Sequence, residues 1–431
     1  MNYSKYVIKL DDNKHVYLFN TKNNLSVKIE NNLLKDLKND TELFNRFQIF
    51  LADHQFYTAE NEKSSTLKML QNKDNDTLRI IILAHGDCNF RCKYCYEKFE
   101  NICIHDKVSD IISFIKNKLS EKNFSRLHIS WFGGDPLLGY REILDISDIL
   151  ITYCNKNDIL YSADITTNGY LLSPTVFSKL VNLCKITTFQ ITIDGTQKGH
   201  DNQRVLKNGH GSYRRVIDNL LSTINTSLSF QIIIRRNVSK ENSEDVKNFL
   251  NTDAKYFKPD KRFKFIFRNV GNWGCGERVK GYEVEMFEKD ISFEFSKYAL
   301  SQGFRLFDPS IIATNNLACY AQKKNSYVID TTGKLLKCTV ALYEDCNVIG
   351  NIANGVTNTN NQDLWVNNLD CFSNKCENCE LLFICKGGFC PKIRIMNSTT
   401  HDICKEMKQM ITNNFRLKIL SNDFNFVLRR K

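Results

Sequence analysis

The chain has 431 residues, of which 25% are charged, and a formal net charge of +11. This length predicts two or three domains. There is no run of about 18 apolar residues and no signal-peptide centre at the N-terminus, so the sequence predicts a cytoplasmic protein without a membrane segment. The basic residues are spread along the chain without forming a nucleic-acid module. We therefore expect no nucleic-acid partner, and the charge alone does not identify another.

The N-terminal 75 residues predict a small α+β domain. Three strand-like runs, Tyr6–Leu10, His15–Asn20 and Leu25–Ile29, precede helical segments. Thr41 is expected to cap a helix, whose apolar face is formed by Leu43, Phe44, Phe47, Phe50 and Leu51.

Strands and helices then alternate as far as residue 300, which predicts an α/β fold with parallel strands joined by helices. The predicted strands are Leu78–Ala84, Leu127–Phe132, Leu160–Thr167, Thr187–Ile193, Phe230–Arg235 and Phe263–Arg268. The predicted helices include Val108–Leu119, Pro174–Cys184, Tyr213–Ile224 and Glu283–Leu300. Several strands are expected to be apolar on both faces. The sheet is either doubly wound or curved into a barrel, and both forms bind ligands at the carboxyl ends of their strands.

Residues of the types that bind ligands or take part in catalysis follow these strands in order. They are Cys88, Cys92 and Cys95 after the first strand, then Gly133-Gly134-Asp135-Pro136, Thr167-Asn168-Gly169, Asp194-Gly195 and Arg235-Arg236-Asn237. Each motif alone is compatible with a tight turn, but their order places them at one end of the sheet.

The cysteines supply three thiolates from one short loop, in the spacing C-x3-C-x2-C. In a cytoplasmic chain, sixteen cysteines point to metal binding rather than to disulfides. A four-iron cluster held by three thiolates keeps one iron open for a small molecule. The alternative, a zinc knuckle, usually has paired C-x2-C spacings and a fourth ligand close by.

This spacing, with Tyr94 before the last cysteine, resembles the signature of the radical SAM enzymes. The resemblance implies a partial (β/α)6 TIM-like barrel over residues 76–308, with a 4Fe–4S cluster that binds S-adenosyl-L-methionine (SAM). Gly133, Gly134, Asp135 and Pro136 match the motif that binds the SAM amino group, with Asp in place of the usual Glu. By the same resemblance, Thr192 lies near the ribose of SAM and Arg204 lies near its methionine carboxylate. Asn168 belongs to the same cofactor site.

The cysteine-rich region at residues 309–431 resembles the SPASM extension of radical SAM enzymes, which carries two auxiliary 4Fe–4S clusters and here ends in a helix. By resemblance, the outer cluster is held by Cys376, Cys379, Cys385 and Cys404, and the inner cluster by Cys319, Cys338 and Cys390. Cys390 departs from the family spacing by one residue. A zinc ribbon of Cys376, Cys379, Cys385 and Cys390 is the alternative.

The inner cluster lacks an obvious fourth ligand, because Ala313 occupies the position where relatives have a cysteine. Cys275, Cys346 or a substrate thiolate are the candidates. The remaining thiols are expected to be inert, namely Cys103, Cys154, Cys184 and Cys371.

The resemblance implies cleavage of SAM to a 5′-deoxyadenosyl radical that removes a hydrogen atom from an unactivated carbon. The leading hypothesis is a maturase that crosslinks a ribosomally made precursor peptide, most simply through a cysteine thioether. Residues 1–75 resemble a winged-helix-like leader-peptide recognition domain, and a flavodoxin or ferredoxin is the expected electron donor. The alternatives are an anaerobic sulfatase maturase, a carbon–carbon crosslinking cyclase, a non-catalytic cluster-bearing scaffold and, for residues 1–75, a barrel-capping extension. Thr339 follows Cys338 where sulfatase maturases have an Asp, which weighs against the first of these.

Overall fold

The fold is given by a computed structural model of the chain. It describes residues 2–58, 76–239, 241–271, 291–307, 319–366, 376, 379–385, 390–396 and 401–429. The expectations for Cys275, Ala313, Cys371 and residues 283–290 lie outside these ranges. The chain forms two compact units. We call residues 75–307 and 324–366 the sheet unit, and residues 1–74, 308–323 and 367–431 the composite unit.

The strands are short and are numbered in chain order. They are β1 (Asn2–Tyr3), β2 (Val7–Asp11), β3 (His15–Asn20), β4 (Leu25–Glu30), β5 (Tyr57–Thr58), β6 (Thr77–His85), β7 (Phe90–Cys92), β8 (Arg126–Gly133), β9 (Leu160–Thr167), β10 (Ile186–Thr192), β11 (Arg204–Leu206), β12 (Gln231–Val238), β13 (Phe263–Asn269), β14 (Ser326–Ile329), β15 (Lys334–Leu336), β16 (Val348–Asn351), β17 (Gly355–Val356) and β18 (Phe426–Leu428).

The α-helices follow the same convention. They are α1 (Asn31–Asp36), α2 (Thr41–Asp53), α3 (Val108–Glu121), α4 (Tyr140–Lys156), α5 (Pro174–Asn182), α6 (Gln197–Gln203), α7 (Tyr213–Ile224), α8 (Ser243–Asn251), α9 (Ile291–Ser301), α10 (Thr359–Val366), α11 (Leu382–Cys385), α12 (Pro391–Met396) and α13 (His401–Ser421). None of the helices in the described ranges is long and apolar enough to cross a membrane.

The sheet unit confirms the six predicted strands and their parallel pairing. Its main sheet has the order β13-β12-β10-β9-β8-β6-β14-β15-β16-β17, parallel from β13 to β14 and antiparallel from β14 to β17. The predicted strands are neighbours in chain order, so among them there is no switch point of the kind that a doubly wound sheet has. All six therefore end at the same edge of the sheet.

One face of this sheet packs against the helices. Alternate residues of the strands, such as Ile80, Ile129 and Ile191, share one apolar core with helical residues such as Ile115 and Leu150. This alternation follows from the two-residue period of a strand.

The opposite face of the central strands β8, β9 and β10 is polar, so the expectation of strands that are apolar on both faces holds for β6 and β12 but not for these three. We call this surface the polar face and define it by His128, Ser130, Ser162, Asp164 and Gln190, all of them half-buried. Neighbouring strands such as β6 do remain apolar on both faces, with Ile81 and Leu83 buried. Because burying unpaired polar groups is costly, a polar face on a parallel sheet indicates a solvated surface.

The composite unit joins the N-terminal segment to the C-terminal one. Strands β2, β3 and β4 form an antiparallel sheet, and β18 adds to β4 in parallel. One face packs against α1 and α2, where Val27, Phe47 and Leu51 are buried. The other face packs against residues 381–384 and α13, through contacts that include Tyr17 and Phe415.

The cap of α2 differs from the expectation. Asp40, not Thr41, is the N-cap, and its side chain accepts a hydrogen bond from the Leu43 amide at 2.9 Å. Asp and Thr are both favoured N-cap residues, so the sequence alone does not distinguish Asp40 from Thr41 as the cap. Phe44 is 40% exposed and lies outside the apolar face predicted for this helix.

Candidate active site

The cysteine loop follows β6 at the edge where the parallel strands end. Cys88 is buried, while Cys92 and Cys95 are half-buried. Cys92 ends β7, which pairs with β11, and the Cys95 amide donates to the Cys92 carbonyl at 3.1 Å. The loop is thus held by the pairing of β7 with a strand distant in sequence and by a tight turn.

The loop rests directly on the end of β8. The Gly134 amide donates to the His85 carbonyl at 3.0 Å and the Asp135 amide to the Asp87 carbonyl at 3.1 Å. A Cβ on Gly133 would stand 2.4 Å from the His85 oxygen, and one on Gly134 would stand 2.2 Å from the Asp87 oxygen. Gly133 also has a φ of +120°, which favours glycine. The two glycines therefore let β8 and the cysteine loop approach backbone to backbone.

The Asp135 carboxylate is fully buried and binds the protein's own groups. It accepts hydrogen bonds from the Thr167 hydroxyl at 2.9 Å, the Asn168 amide at 2.8 Å and the Leu137 amide at 2.9 Å. Burial raises the pKa of this carboxyl group, against the effect of these donors. Asp135 thus ties the ends of β8 and β9 together, while Pro136 starts a short 3-10 helix, Pro136–Gly139.

Asn168 reaches from the end of β9 to the cysteine loop. Its side-chain amide donates to Asn89 Oδ1 at 2.7 Å and stands 3.5 Å from Cys88 Sγ. Hydrogen bonds to cluster sulfurs are one means by which a protein sets a cluster's reduction potential. The structure therefore brings Asn168 to the first cysteine.

Tyr94 lies at the centre of a second network. Its hydroxyl donates to Asp194, and it accepts from Arg204 at 2.7 Å and from the Asn237 side chain at 3.1 Å. Asp194 also accepts from the Asn237 amide at 2.8 Å. Burial raises the pKa of Tyr94 well above its usual value, so the phenol remains protonated.

Arg204 is placed opposite Cys92 by the pairing of β11 with β7. Its guanidinium is buried, and its Nε has no hydrogen-bond partner among the described residues. A buried guanidinium nitrogen without an acceptor is costly, so the site suits a ligand carboxylate. Thr192, also buried, lies in register with Arg235 on the adjacent strand.

Two kinds of site residue carry little or no signal in the sequence. Asp194 and Asn237 belong to motifs that follow predicted strands. That position at the strand ends is the one feature of the sequence that points to a role for them. Asn237 and its neighbours Arg235 and Arg236 lie within β12, not after the predicted strand. Glu97 gave no signal: it is buried, and burial together with the charge of Asp135 raises its pKa to about 8.

A cavity of about 310 Å³ opens beside the cysteine loop. Its walls include Glu97, Lys98, Lys334, Tyr343 and Asp345. The Lys98 amide donates to the Tyr343 hydroxyl at 2.8 Å, and the Lys98 ammonium lies 4.1 Å from the centre of the Tyr343 ring. The cavity offers a substrate both charged and aromatic contacts next to the candidate cluster.

The remaining candidate cluster ligands are divided between the units. Cys338, in the sheet unit, is buried, and the Asn347 side chain bonds both its amide and its carbonyl at 2.9 Å. This contact holds Cys346, the residue before Asn347, beside the same segment. In the composite unit, Cys376 and Cys379 are joined by a 3.0 Å backbone hydrogen bond, and the other candidates there are Cys319, Cys385, Cys390 and Cys404.

Across the described ranges, no three His, Cys, Asp or Glu side chains are grouped so that they could hold a single metal ion. A four-iron cluster spaces its ligands over a cube, which is a different arrangement. The three-cysteine loop fits a cluster, and the buried Arg204 Nε, which has no acceptor among the described residues, fits the carboxylate group of a cofactor.

The fold and the site define a class of protein: a parallel α/β protein with a loop of three cysteines directly after β6 of its main sheet. Comparison with known proteins shows which family this part of the chain resembles. The family model described as "Radical SAM superfamily" matches residues 82–250, which include the cysteine loop. The protein is an enzyme, and a 4Fe–4S cluster and SAM are its cofactors.

Two curated relatives are similar to this chain. The radical SAM cyclopropyl synthase TigE of Paramaledivibacter caminithermalis is 25% identical over 292 residues, covering 57% of this chain and 60% of that enzyme. This chain therefore spans less than two thirds of TigE. The cysteine-type anaerobic sulfatase-maturating enzyme of Clostridium novyi is 23% identical over 360 residues, covering 77% of this chain and 93% of the relative.

Two solved structures share the fold. The structure of anSMEcpe with bound AdoMet and Kp18Cys peptide has a TM-score of 0.59 at 18% identity, covering 80% of this chain and 99% of the other. Streptococcus suis SuiB bound to its precursor peptide SuiA has a TM-score of 0.52 at 15% identity, covering 92% and 97%.

Proposed function

We propose that the protein is a radical SAM peptide maturase that forms an intramolecular crosslink, most simply a cysteine thioether, in a ribosomally made precursor peptide. The observation that carries this proposal is the N-terminal sheet of the composite unit. Strands β2, β3 and β4 are followed by α1 and α2, and the β4 edge beside α2 pairs with β18, so this edge accepts an extended segment as an added strand. SuiB, which covers 92% of this chain in fold, was solved with a precursor peptide.

The proposal assigns three regions and their ligands. Residues 1–75 recognise the leader, residues 76–308 form the partial barrel, and residues 309–431 form a SPASM region with two auxiliary clusters. The SAM cluster is bound by Cys88, Cys92 and Cys95. The auxiliary ligands are those inferred from the sequence, with Cys346, held near Cys338 by Asn347, as the fourth ligand of the inner cluster.

Bound in this site, the cluster and SAM supply the one-electron chemistry that removes hydrogen from an unactivated carbon. The chain's own residues position that chemistry. Arg204 Nε is available to the SAM carboxylate, the Gly133-Gly134 turn lets β8 approach the backbone of the cysteine loop, and Asn168 approaches the sulfur of Cys88. A flavodoxin or ferredoxin is the proposed electron donor.

The polar face is the proposed substrate surface. His128 bonds Ser162 at 2.8 Å through Nδ1 and Asp164 at 2.7 Å through Nε2. Asp164 also accepts from Ser130 at 2.9 Å. These side chains fix one another in place while remaining partly solvent-exposed, as a surface that orients a peptide requires.

The test is reconstitution of the chain without oxygen, followed by reduction in the presence of SAM and a precursor peptide encoded near it. We expect 5′-deoxyadenosine and a peptide that has lost two hydrogens per link, with cysteine thiols consumed. A Cys88→Ala variant, with the same peptide, controls for chemistry outside the SAM cluster. An intact peptide alongside active SAM cleavage would contradict the proposal.

A second candidate is a cysteine-type sulfatase maturase, favoured by the match to 93% of such an enzyme. Thr339 after Cys338 weighs against it, because the family usually has an Asp there. The same assay with a sulfatase-derived cysteine peptide separates the two functions, since formylglycine formation replaces the thiol sulfur by oxygen whereas a thioether retains it.

A further inference from the structure

The edge of β4 in the composite unit is already occupied by the chain itself. After α13 ends at Ser421, the chain returns as β18 and pairs with β4 in parallel, with Phe426 opposite Val27 and Leu428 opposite Ile29. This is the edge next to α2, where strand addition is possible. The described structure thus shows what kind of segment the edge accepts.

Alternate side chains of β18 enter the groove between β4 and α2. The Phe426 ring lies 5.2 Å from the Phe50 ring, edge to face, and 4.6 Å from the His54 ring. Phe426 and Leu428 both pack against the core beneath the sheet, whereas Val427 is 42% exposed. Main-chain pairing combined with pockets for every second side chain is how sheets recognise extended peptides.

The residues before β18 are fastened separately. Asn425 Oδ1 accepts from the Ser26 amide and the Ser26 hydroxyl, both at 2.9 Å. Phe424 stacks on Tyr17 with ring centres 5.4 Å apart. These contacts hold the chain after α13 in place and do not involve the groove. β18 can therefore leave the groove while these contacts remain.

We propose that the groove between β4 and α2 is the leader-peptide site, and that β18 is a built-in occupant that the leader displaces. The proposal deepens the proposed function and rests on it. The groove selects an extended segment with an aromatic residue followed, two positions later, by a branched aliphatic one. A strand of only three residues is a weak competitor for a longer leader segment.

Tethering explains why a weak strand still fills the groove. A short tether gives its segment an effective concentration in the millimolar range, so a free peptide of equal intrinsic affinity is outcompeted at micromolar concentrations. Removing β18 should therefore strengthen binding of a free peptide at least tenfold. A longer leader, with more paired residues, overcomes the tether.

The probe is a fluorescent synthetic peptide of the chain's own residues 422–431, measured by anisotropy against full-length protein and a variant ending at Asn425. The truncated variant keeps Phe424 and Asn425. We expect binding at least tenfold tighter to the truncated variant, and loss of binding when the peptide carries Phe426→Ser and Leu428→Ser. The Val427→Ser peptide is the matched control and should bind like the unchanged one.

Two further measurements keep the test decisive if the truncated variant folds poorly. In the full chain, Phe426→Ser should strengthen probe binding and Val427→Ser should leave it unchanged. In the Phe426→Ser variant, excess probe should also slow the hydrogen exchange of the Val27–Ile29 amides, because the probe restores the strand pairing that the substitution weakens. Failure of a folded variant to bind the probe, or equal binding of the serine-substituted peptide, would show that β18 is a permanent edge cover.

The outcome is independent of the maturase assay. Probe binding with no peptide modification would retain the groove and reject the proposed function. Modification of a precursor whose binding does not change when Phe426 is substituted would support the proposed function and reject the groove as the leader site.

Discussion

The contact between β8 and the cysteine loop makes Gly134→Ala a sharp test of the site. The added Cβ would stand 2.2 Å from the Asp87 carbonyl oxygen and 3.0 Å from the Cys88 amide nitrogen. Both are backbone atoms, so no side chain can turn aside. Because Gly134 does not have a positive φ, the substitution acts through this contact alone.

The size of the effect follows from the distance. Ordinary contact begins at 3.4 Å, so the cysteine loop and the strand must separate by about 1 Å. A misplacement of about 1 Å can lower a reaction rate roughly a hundredfold, which corresponds to about 2.7 kcal/mol. We therefore expect SAM cleavage by Gly134→Ala to fall by roughly two orders of magnitude.

The assay measures 5′-deoxyadenosine formation by the reduced, reconstituted enzyme, together with its iron content. Gly209→Ala is the control, because a Cβ there meets nothing within 4 Å although its φ of +82° adds strain. Cleavage at the unsubstituted rate in Gly134→Ala, with the cluster intact, would refute the argument that backbone contact positions the loop.

Three further predictions concern the cofactor, the inner cluster and the substrate. Arg204→Met should weaken SAM binding roughly tenfold to a hundredfold without loss of iron, since a charged hydrogen bond contributes about 1.5–3 kcal/mol; equilibrium binding checks this, and unchanged affinity would contradict it. Cys346→Ala should lower iron content as much as Cys338→Ala does, whereas Cys154→Ala, in the apolar core, should not. Asp164→Ala should reduce peptide modification but leave SAM cleavage without peptide unchanged, and equal losses in both assays would argue against a role in substrate orientation.

The sheet unit was predictable because its information is local. Leu160–Thr167 matches β9 at both ends, and Tyr213–Ile224 matches α7, since period and flanking turn residues mark both elements. The order of motifs along the chain also predicted that one sheet edge collects them. What the sequence did not show was contact, such as that between Asn168 and Cys88 or between Arg204 and Tyr94.

The composite unit was not predictable in the same way. Its N-terminal strands were found, but the pairing of β18 with β4 joins residues about 400 positions apart through only three residues, which leave no periodic signal. The core that Phe19 and Phe415 share could not be predicted for the same reason. Each residue belongs to an ordinary apolar stripe, and the sequence does not indicate which two stripes pack together. The domain limits proposed from the sequence follow chain order, whereas the compact unit does not.

The composite unit also limits what displacement of β18 can disturb. Helix α13 is held on the sheet by Met407, Ile411 and Phe415, and the Phe415 ring stacks on Phe19 at 4.5 Å. Cys379 and Cys385 pack against this same face, opposite the groove that β18 fills. We therefore expect the variant ending at Asn425 to keep the iron content of the full chain. The matched variant Phe415→Ala, which opens the core on the cysteine side, should lose stability by about 3–5 kcal/mol and lose iron with it. Iron loss on removing β18 alone would mean that the groove and the cysteine side are one cooperative structure, and that the C-terminal strand is part of the cluster's support rather than a displaceable occupant.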